Sequence, residues 1–460
     1  MIKAFKFAVL ALGVTANALK TDYQEPPPIL TSPTEWTGSY ENSRVGKISA
    51  AFTDSEGNQD SVNIYRLDLV GTTKERGFAY GAMMAKEIVR FIDVALNKYY
   101  MDMVLDIDLS GFPEPLQKIL HVIQVKGALA APEAFNKAMQ WVYEQEEQYM
   151  PEYLLEEMDA IGAGVCHTLG GSCNTTEMAA TVRRLNMLPE LIRMACTMFG
   201  AWGPASPTGK LTQIRALDFG SGPFSNYTIL GVYRSTEADT RAFATVMYPG
   251  MVGAITGVAQ NGIGISEKVW MTYDCNPSCL QPGHYDGEPD VFVLRDILQQ
   301  AKNRQEAETY MQNAKRTFAI FVGVGDFESQ TMDVVGYKED SATVYTDQTI
   351  SEVTEMKVLD SVVYVDKHPQ PSTDDSLPTA LTDFYGELSM ENSRVVVQYH
   401  KTGDQHIAMY DFGASSMLLS VGRINKDGDY GPEGGDLSQW KAYNRPYLKF
   451  DLEDLWAGLY

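Results

Sequence analysis

The sequence has few of the residues and patterns on which several large protein classes depend. Its 460 residues include five cysteines and six histidines, and 37 basic side chains stand against 60 acidic ones, for a formal net charge of −23. This shortage of positive charge argues against nucleic acid or an anionic membrane as the main partner. Beyond the first residues, no apolar run approaches the roughly 20 residues of a transmembrane helix. A membrane-spanning segment is therefore not expected.

Common catalytic motifs are also missing. The sequence contains no G-x-S-x-G, no H-E-x-x-H, no P-loop and no G-x-G-x-x-G, which removes several frequent hydrolase and nucleotide-binding sites. The histidines are scattered singly, without a pair at metal-ligand spacing. We therefore expect neither a metal nor another cofactor.

The first residues have the pattern of a secretory signal. MIKAFKFAVLALGVTANA combines two lysines, a short apolar run and a small-residue triplet, which predicts a signal peptide over residues 1–18. Asn174 and Asn226 open acceptor sequons and are glycosylation candidates. Both features favour a secreted protein or one of a lysosome- or vacuole-like compartment.

Cysteine chemistry depends on that compartment, because disulfides form in the secretory route. Cys166 and Cys173 are close in sequence, as are Cys275 and Cys279, so each pair is a disulfide candidate. Cys196 remains as the fifth cysteine. An inert, buried thiol is one interpretation of Cys196, and a reactive thiol is the other.

The first part of the chain is predicted to be mainly helical after a polar lead-in. Residues 19–60 are rich in proline and polar residues and are expected to be extended. A short strand over 65–70 leads into an amphipathic helix that begins near Thr73. Further helices are predicted at 113–130, 132–149, 151–164 and 291–314.

After Cys196 the pattern changes to short β-branched and aromatic segments separated by turn residues, which predicts strands. The predicted strands are KLTQIRALDF, YTILGVYRS, RAFATVMYPG, GIGISEKVW, TFAIFVGVG, TMDVVGYK, ATVYTD, SVVYVD, RVVVQYHK and HIAMYDF. Many strands with a minority of helices indicate an α+β protein with stacked sheets flanked by helices.

The residues around Cys196 form a candidate catalytic group. A hairpin that turns near residues 206–210 would return Arg215 and Asp218 to the start of the first strand, beside Cys196. If the Ala195–Cys196 peptide is cut, Cys196 gains an α-amine with a pKa of about 7.7–8.0, which can take the proton of its own thiol. The alternative is that Arg215 and Asp218 simply pair on a sheet surface.

These residues carry a resemblance to a known superfamily. The sequence resembles the N-terminal nucleophile (Ntn) amidohydrolases that include acid ceramidase, acyl-CoA:6-aminopenicillanic acid acyltransferase and bile-salt hydrolases, in their secreted eukaryotic branch. The resembling segments are CTMFGAWG with Arg215 to Asp218, YPGMVGAITGVAQNGIGIS, GTTKERGFAYG, PEYLLEEMDAIGAG, VFVLRDILQ, KRTFAIFVGVGD, YVDKHPQPS and AYNRPYLKFDL.

The resemblance implies an Ntn αββα sandwich and self-cleavage before Cys196. A helical α segment over 19–195 and a catalytic β segment over 196–460 would remain associated. Cys196 would be the nucleophile, with Arg215 and Asp218 holding and polarising it.

The resemblance does not single out one residue that stabilises the oxyanion. Many relatives have an asparagine where this sequence has Ala259. Asp366 and His368 are the candidates from a later strand, and Asn261 is a less favoured one because NG reads first as a turn. Arg394 and the histidines of QYHKTGDQH are expected to be sheet surface residues and not ligands.

The function implied is hydrolysis of the linear amide bond of an N-acylated lipid, such as a ceramide-like or N-acylethanolamine-like substrate, through an acyl-thioester. A phospholipase B-like hydrolase or an acyltransferase with the same nucleophile is an alternative. A non-catalytic, glycosylated binding or storage protein is the alternative from another class.

Overall fold

A computed structural model of the chain describes residues 23–54, 57, 59–93, 109, 112–126, 131–191, 195–219, 223–238, 240–273, 279–280, 284–423 and 441–459. The predicted signal peptide over 1–18 and Cys275 lie outside the described residues. The side chain of Cys279 lies outside them as well.

Helices dominate the described chain between residues 73 and 191, as predicted. They are α1 (Thr73–Met83), α2 (Ala85–Phe91), α3 (Glu114–Lys126), α4 (Ala131–Glu146), α5 (Glu152–Leu169), α6 (Thr175–Leu185) and α7 (Leu188–Leu191). Helix α1 begins where the sequence predicts it, because Thr72 and Glu75 form a capping box at its first turn. The predicted bridge between Cys166 and Cys173 is present at the C-terminal end of α5.

The prediction of an extended lead-in over residues 19–60 is wrong from residue 29 onwards, where the chain joins the sheets. Instead of an extended lead-in, the chain forms β1 (Ile29–Leu30), β2 (Thr34–Tyr40), β3 (Ser43–Thr53) and β4 (Gln59–Gly71). Strand β3 alternates buried and exposed side chains along much of its length. That alternation is the pattern of a strand with one covered face, and the polar turn residues around it obscured the pattern.

The remaining elements follow residue 195. The strands are β5 (Ala195–Ala201), β6 (Thr212–Asp218), β7 (Ile229–Ser235), β8 (Phe243–Met247), β9 (Thr256–Ala259), β10 (Ile263–Val269), β11 (Met271–Thr272), β12 (Cys279–Leu280), β13 (Ile320–Asp326), β14 (Met332–Tyr337), β15 (Ala342–Tyr345), β16 (Val362–Val365), β17 (His406–Asp411), β18 (Ser416–Val421) and β19 (Tyr447–Asp451). The helices are α8 (Asp290–Gln300), α9 (Arg304–Asn313), α10 (Ser351–Thr354), α11 (Ser376–Asp383), α12 (Met390–His400) and α13 (Leu452–Ala457).

The strands form two large sheets. The ten-stranded sheet has the order β15-β14-β13-β10-β9-β8-β7-β4-β3-β2, and the seven-stranded sheet has the order β1-β19-β18-β17-β6-β5-β16. Within them the pairs are antiparallel except β4 with β7 and β1 with β19, which are parallel. Strands from before and after residue 195 therefore lie in the same sheets.

Packing arranges the sheets and helices in four layers. A core that includes Val62, Met198 and Val334 fills the space between the two sheets. Helices cover the other face of each sheet: α8 packs beside β10 of the larger sheet, and α12 packs on the outer face of the smaller one. The α+β class and the predicted stacking of flanked sheets are confirmed.

One predicted strand is a helix. The segment RVVVQYHK lies in α12, whose β-branched run over 395–397 favoured a strand. Ser389 caps the N-terminus by accepting a hydrogen bond from the Asn392 amide, and Lys401 ends the helix in the left-handed conformation. Burial of the valines against the smaller sheet and these two caps outweigh the local preference.

Among the described residues, no helix is both long enough and apolar enough to cross a membrane.

Candidate active site

The hairpin predicted around Cys196 is present and sets the geometry of the site. Strands β5 and β6 pair antiparallel, with Cys196 opposite Leu217, and Arg215 and Asp218 on the returning strand. Nη2 of Arg215 donates a hydrogen bond to Sγ of Cys196 at 3.1 Å. Both side chains are fully buried. The sheet-surface alternative for Arg215 is therefore wrong, because this guanidinium is inside the protein and in contact with sulfur.

A carboxyl group from the other sheet completes this contact. Oε2 of Glu267, on β10, lies 3.2 Å from Nη2 of Arg215 and 4.0 Å from Sγ of Cys196. The backbone carbonyl of Glu267 also accepts a hydrogen bond from Nε of Arg215 at 3.3 Å. Thiol, guanidinium and carboxyl thus form a buried triad, Cys196–Arg215–Glu267.

Burial controls the protonation states of this triad. It raises the pKa of the Cys196 thiol strongly, although the positive charge of Arg215 acts in the opposite direction. Burial also raises the pKa of Glu267 to about 7, again opposed by Arg215. In the intact chain the thiol is therefore protonated, and a carboxyl group that titrates near neutral pH lies beside it.

His406 holds the other side of the guanidinium. Its Nε2 lies 3.1 Å from Nη1 of Arg215 and 3.0 Å from Oγ1 of Thr256, and its Nδ1 lies 3.4 Å from the Tyr248 hydroxyl. An arginine can only donate, so Nε2 of His406 accepts in this contact. Burial lowers the pKa of His406 well below its usual value, and Arg215 adds to the effect. The expectation that the histidines of QYHKTGDQH lie at the surface is wrong for both: His400 is buried, and His406 is a buried, neutral acceptor that orients Arg215.

Asp218 lies at the junction between residues 195 and 196. It stands opposite Ala195 in the β5–β6 register. Its carboxylate accepts hydrogen bonds from the Thr402 hydroxyl at 2.5 Å and from the Gly403 amide at 2.8 Å. Burial raises the pKa of Asp218 to about 6, against the opposing charge of Lys367. This carboxylate is fixed beside the peptide bond predicted to be cleaved.

Lys268 adds a second buried cation. It follows Glu267 on β10, is fully buried, and donates a hydrogen bond to the Val269 carbonyl at 2.9 Å. Burial lowers its pKa, whereas the charges of Asp366 and Cys196 favour its protonated form. Lys268 is thus electrostatically coupled to the nucleophile candidate.

Asp366 and His368 follow β16, the strand that flanks β5. The Asp366 carboxylate accepts hydrogen bonds from Nδ1 of His368 at 2.8 Å, Nε2 of Gln370 at 2.7 Å and Oγ of Ser372 at 2.6 Å. Burial opposes ionisation of Asp366, but the bonds from His368 and Ser372 outweigh it and lower its pKa. An ionised carboxylate only accepts hydrogen bonds, which does not favour an oxyanion-binding role for Asp366.

Asn261 is not brought to the site. It occupies the exposed turn between β9 and β10, with a φ of 48°. Six residues of extended chain separate it from Glu267, which is about 20 Å along the strand. The interpretation of NG as a turn is confirmed.

Glu267, Lys268 and His406 were missed by sequence reasoning because they reach Cys196 from strands distant in sequence. One signal was present: GISEKVW places two adjacent charges inside an otherwise apolar strand. Such charges are rarely buried unless they are paired. The pattern therefore indicates that charged side chains of β10 have partners inside the protein.

A small apolar cavity is linked to the triad through Tyr248 and His406, which contacts Arg215. It has a volume of about 40 Å³, room for only a few water molecules. Tyr248, which contacts His406, is one of its lining residues. The main apolar lining residues are Leu188, Pro189, Phe219, Phe224, Tyr248 and Val291.

Several predictions remain at this point. Asn174 is exposed and caps α6, while Asn226 is half-buried, and their glycosylation stays a prediction. Cleavage between Ala195 and Cys196, and the segment boundary it would create, also stay predictions.

Comparison with known proteins gives relatives over most of the chain. No model of a known protein family matches the sequence. Protein dcd1B of Dictyostelium discoideum is 30% identical over 411 residues, which cover 86% of this chain and 76% of dcd1B. Protein dcd1A of the same organism is 29% identical over 401 residues, covering 84% of each chain.

Solved structures give weaker, partial overlaps. A Caenorhabditis elegans N-acylethanolamine-hydrolyzing acid amidase ortholog has a TM-score of 0.36 and 14% identity, covering 47% of this chain and 93% of that one. Penicillin V acylase from Agrobacterium tumefaciens has a TM-score of 0.29 and 11% identity, covering 49% and 83%. The match to protein dcd1B, 30% identical with 76% of its length covered, shows that the chain belongs to the family of protein dcd1B.

Proposed function

We propose that this protein is an N-terminal-cysteine amidohydrolase that hydrolyses a linear amide bond in an N-acylated, largely apolar substrate. The observation that carries the proposal is the 3.1 Å contact between Arg215 and the buried Sγ of Cys196, at the start of a strand where Asp218 faces Ala195. A guanidinium in this position favours the thiolate form of the nucleophile.

The first step is self-cleavage. Glu267 takes the thiol proton, and Sγ of Cys196 attacks the Ala195 carbonyl carbon. The C–N bond of the peptide breaks, its nitrogen takes a proton, and Ala195 is left as a thioester on Cys196. The α-amine of Cys196 is thus already free when water hydrolyses the thioester, which leaves a carboxyl group at Ala195 and restores the Cys196 thiol. A carboxyl group with a pKa of about 7 suits this step, because a base works best when its pKa is near the ambient pH.

In the mature enzyme the new α-amine becomes the base. Its pKa of about 7.7–8.0 lets it take the thiol proton, and Asp218 beside it holds its orientation. The thiolate adds to the substrate carbonyl, and the oxyanion forms in the field of Arg215 and Lys268. The ammonium group then protonates the leaving amine, and water hydrolyses the acyl-thioester to release the acid.

The apolar cavity supports the proposed substrate class. In the intact chain, Leu188 and Pro189 line this cavity and Cys196 is fully buried. Both residues lie a few positions before the predicted cleavage point, and movement of this segment after cleavage would enlarge the cavity. An aliphatic acyl chain would fit only the enlarged, apolar cavity, which favours an N-acylated lipid, processed after secretion or in a lysosome-like compartment.

The proposal is tested by mass spectrometry of the mature protein during turnover. The protein is incubated with N-acylethanolamines, ceramides and N-acyl amino acids, at acidic and at neutral pH. We expect a covalent adduct of acyl mass on the peptide that begins at Cys196, together with the released amine. Cys196→Ala should give neither.

Two outcomes would contradict the proposal. One is amide hydrolysis that persists in Cys196→Ala, and the other is the absence of both adduct and hydrolysis across the panel in a fully cleaved protein. A good amine acceptor added to the reaction separates a hydrolase from an acyltransferase, because a transferase forms a new amide.

A further inference from the structure

We propose that Asp366, His368 and His400 form a binding site for a divalent transition-metal ion, with Zn²⁺ as the best match. The inference does not depend on the proposed amidase activity, because no step of that reaction uses these three side chains.

The three residues converge from two elements. Asp366 and His368 follow β16, and His400 is the last residue of α12. Their ligand atoms all lie within 4.8 Å of one another, and the two imidazole rings meet edge to face with centroids 5.8 Å apart. Two donors on one Zn²⁺ stand at most about 4.2 Å apart, given bonds of about 2.1 Å. Small side-chain rotations therefore suffice to close the site.

The donor set is that of a transition-metal site. Two imidazoles and one carboxylate suit Zn²⁺ and related ions, whereas Ca²⁺ and Mg²⁺ prefer oxygen ligands. Asp366 is fully buried, and the His400 side chain is also inside the protein. The His368 side chain is 33% exposed, so a water molecule can supply a fourth ligand from that side.

One ring nitrogen of His400 is available to bind a metal ion. Nδ1 of His400 lies 2.6 Å from Oγ of Ser376, but Nε2 of His400 is buried and has no hydrogen-bond partner among the described residues. A buried polar atom without a partner is costly and rare in native proteins. A metal ion bound at this nitrogen would satisfy it.

Neighbouring residues form hydrogen bonds with the proposed ligands, as residues around the ligands of known metal sites do. Gln370 and Ser372 donate hydrogen bonds to the Asp366 carboxylate at 2.7 and 2.6 Å. Ser376, which bonds Nδ1 of His400, also donates to the carboxylate of Asp374. Such partners fix the orientation of ligating side chains and tune metal affinity.

Metal binding at this position would brace the candidate active site. His400 ends α12, and the next residues include Thr402 and Gly403, which hold Asp218. The ion would tie this turn to the strand that carries Asp366, beside β5. It would thereby position Asp218 without contacting the substrate.

The experiment measures binding of Zn²⁺ and Co²⁺ to the purified full-length chain after removal of metals with a chelator. We expect one equivalent of Zn²⁺ by calorimetry and elemental analysis, and visible Co²⁺ bands of a low-coordinate nitrogen and oxygen site. His400→Ala and His368→Ala should each weaken binding more than about 100-fold, and Ser372→Ala about 10- to 100-fold. His368 is partly exposed, so its variant keeps the test usable if His400→Ala fails to fold.

Two controls define what would overturn the inference. Cys196→Ala should bind Zn²⁺ unchanged, and loss of binding there would assign the metal to the thiol instead. His284→Ala, which removes an exposed histidine paired with Glu339, should also bind unchanged. Absence of stoichiometric binding, or binding that survives both ligand variants, would refute the site.

Discussion

At the scale of single residues, the proposed chemistry depends on how burial and one guanidinium act on the Cys196 thiol. Burial keeps the thiol protonated, while Arg215 favours the thiolate. Because burial keeps the thiol protonated, forming the thiolate requires a base. Before cleavage no α-amine exists at Cys196 to act as that base. Glu267, 4.0 Å from the sulfur, is placed to take that proton.

The first prediction concerns this base. Glu267→Gln should slow self-cleavage about 100-fold or more, because a positioned general base typically contributes 10²–10⁴-fold. The measurement is the rate at which two fragments appear on denaturing gels after purification. Glu308→Gln is the matched control, since burial also raises the pKa of Glu308 to about 7 but its partner is Arg304. Cleavage at the normal rate in Glu267→Gln would remove Glu267 from the mechanism.

The second prediction concerns stability and pH. Glu267 has a pKa of about 7 in the folded chain, above its ordinary value of 4.5, so the folded state binds its proton more tightly. Its contribution to stability is complete below about pH 4.5 and is lost as the pH rises through about 7. Two proteins are compared, both with Cys196→Ala, one with Glu267 and one with Glu267→Gln. Between pH 4 and pH 8 the free energy of unfolding of the first should fall by on the order of 3 kcal/mol relative to the second.

Urea denaturation across that range measures the difference between the two proteins. A difference that does not change with pH would contradict the account. A change of the opposite sign would mean that the ion pair with Arg215 outweighs burial.

Residues on one hairpin were predictable, and residues from different sheets were not. Arg215 and Asp218 could be assigned because the return strand of one hairpin brings both within two positions of Leu217, the residue opposite Cys196. His406 follows Cys196 by about two hundred positions, and nothing local indicates that β17 lies next to β6. The contact is a property of strand order in the smaller sheet.

At the scale of elements, close backbone packing between α1 and α5 fixes the helical layer. A Cβ added at Gly81 would lie 2.0 Å from the Ile161 carbonyl oxygen, and one added at Gly164 would lie 2.1 Å from the Phe78 carbonyl oxygen. The two helices therefore touch through glycines, which leaves no room for a side chain between them.

The third prediction follows from this contact. Gly81→Ala should lower the free energy of unfolding by about 1–3 kcal/mol, because the helices must separate. Lys86→Ala, on the exposed side of α2, should change it by less than about 0.5 kcal/mol. Urea denaturation of both variants and of the wild-type protein measures the changes in the free energy of unfolding. Equal values for Gly81→Ala and the wild-type protein would contradict the prediction.

Element types were predictable where local signals agree with the tertiary environment. Apolar residues at helical spacing predicted the helix that begins near Thr73, and the capping box of Thr72 and Glu75 stabilises the same start in the structure. The valines of α12 favoured a strand, and only the packing of that segment on the smaller sheet makes it helical. The bounds of β2 and β3 were hidden because their exposed faces are polar.

At the scale of the whole molecule, the predicted cleavage point does not divide the fold. Strand β4 pairs with β7 along residues 65–71, and β1 pairs with β19. Each of these pairs joins a strand from before residue 195 to one from after it. The two segments therefore share both large sheets and the cores between the layers.

The fourth prediction is that cleavage leaves the two segments together. Size-exclusion chromatography of cleaved protein in native buffer should give one peak that contains both fragments, because separation would expose two sheet edges and a large apolar area. The fragments should separate only in denaturant. Two peaks in native buffer would contradict the shared sheets.

The layered α+β architecture was predictable because strand and helix patterns are strong after residue 196. That both segments contribute strands to the same sheets was not predictable, because it depends on the long-range pairing of β1 with β19 and of β4 with β7.

The central claim is that Cys196 becomes the N-terminal residue of a catalytic segment. The most direct measurement is the intact mass and N-terminal sequence of the fragments from purified wild-type protein and from Cys196→Ala. The account predicts two wild-type fragments, one of which begins Cys-Thr-Met-Phe, and a single chain for the variant. A wild-type chain that remains uncut while it hydrolyses acyl-amides at full rate would contradict it.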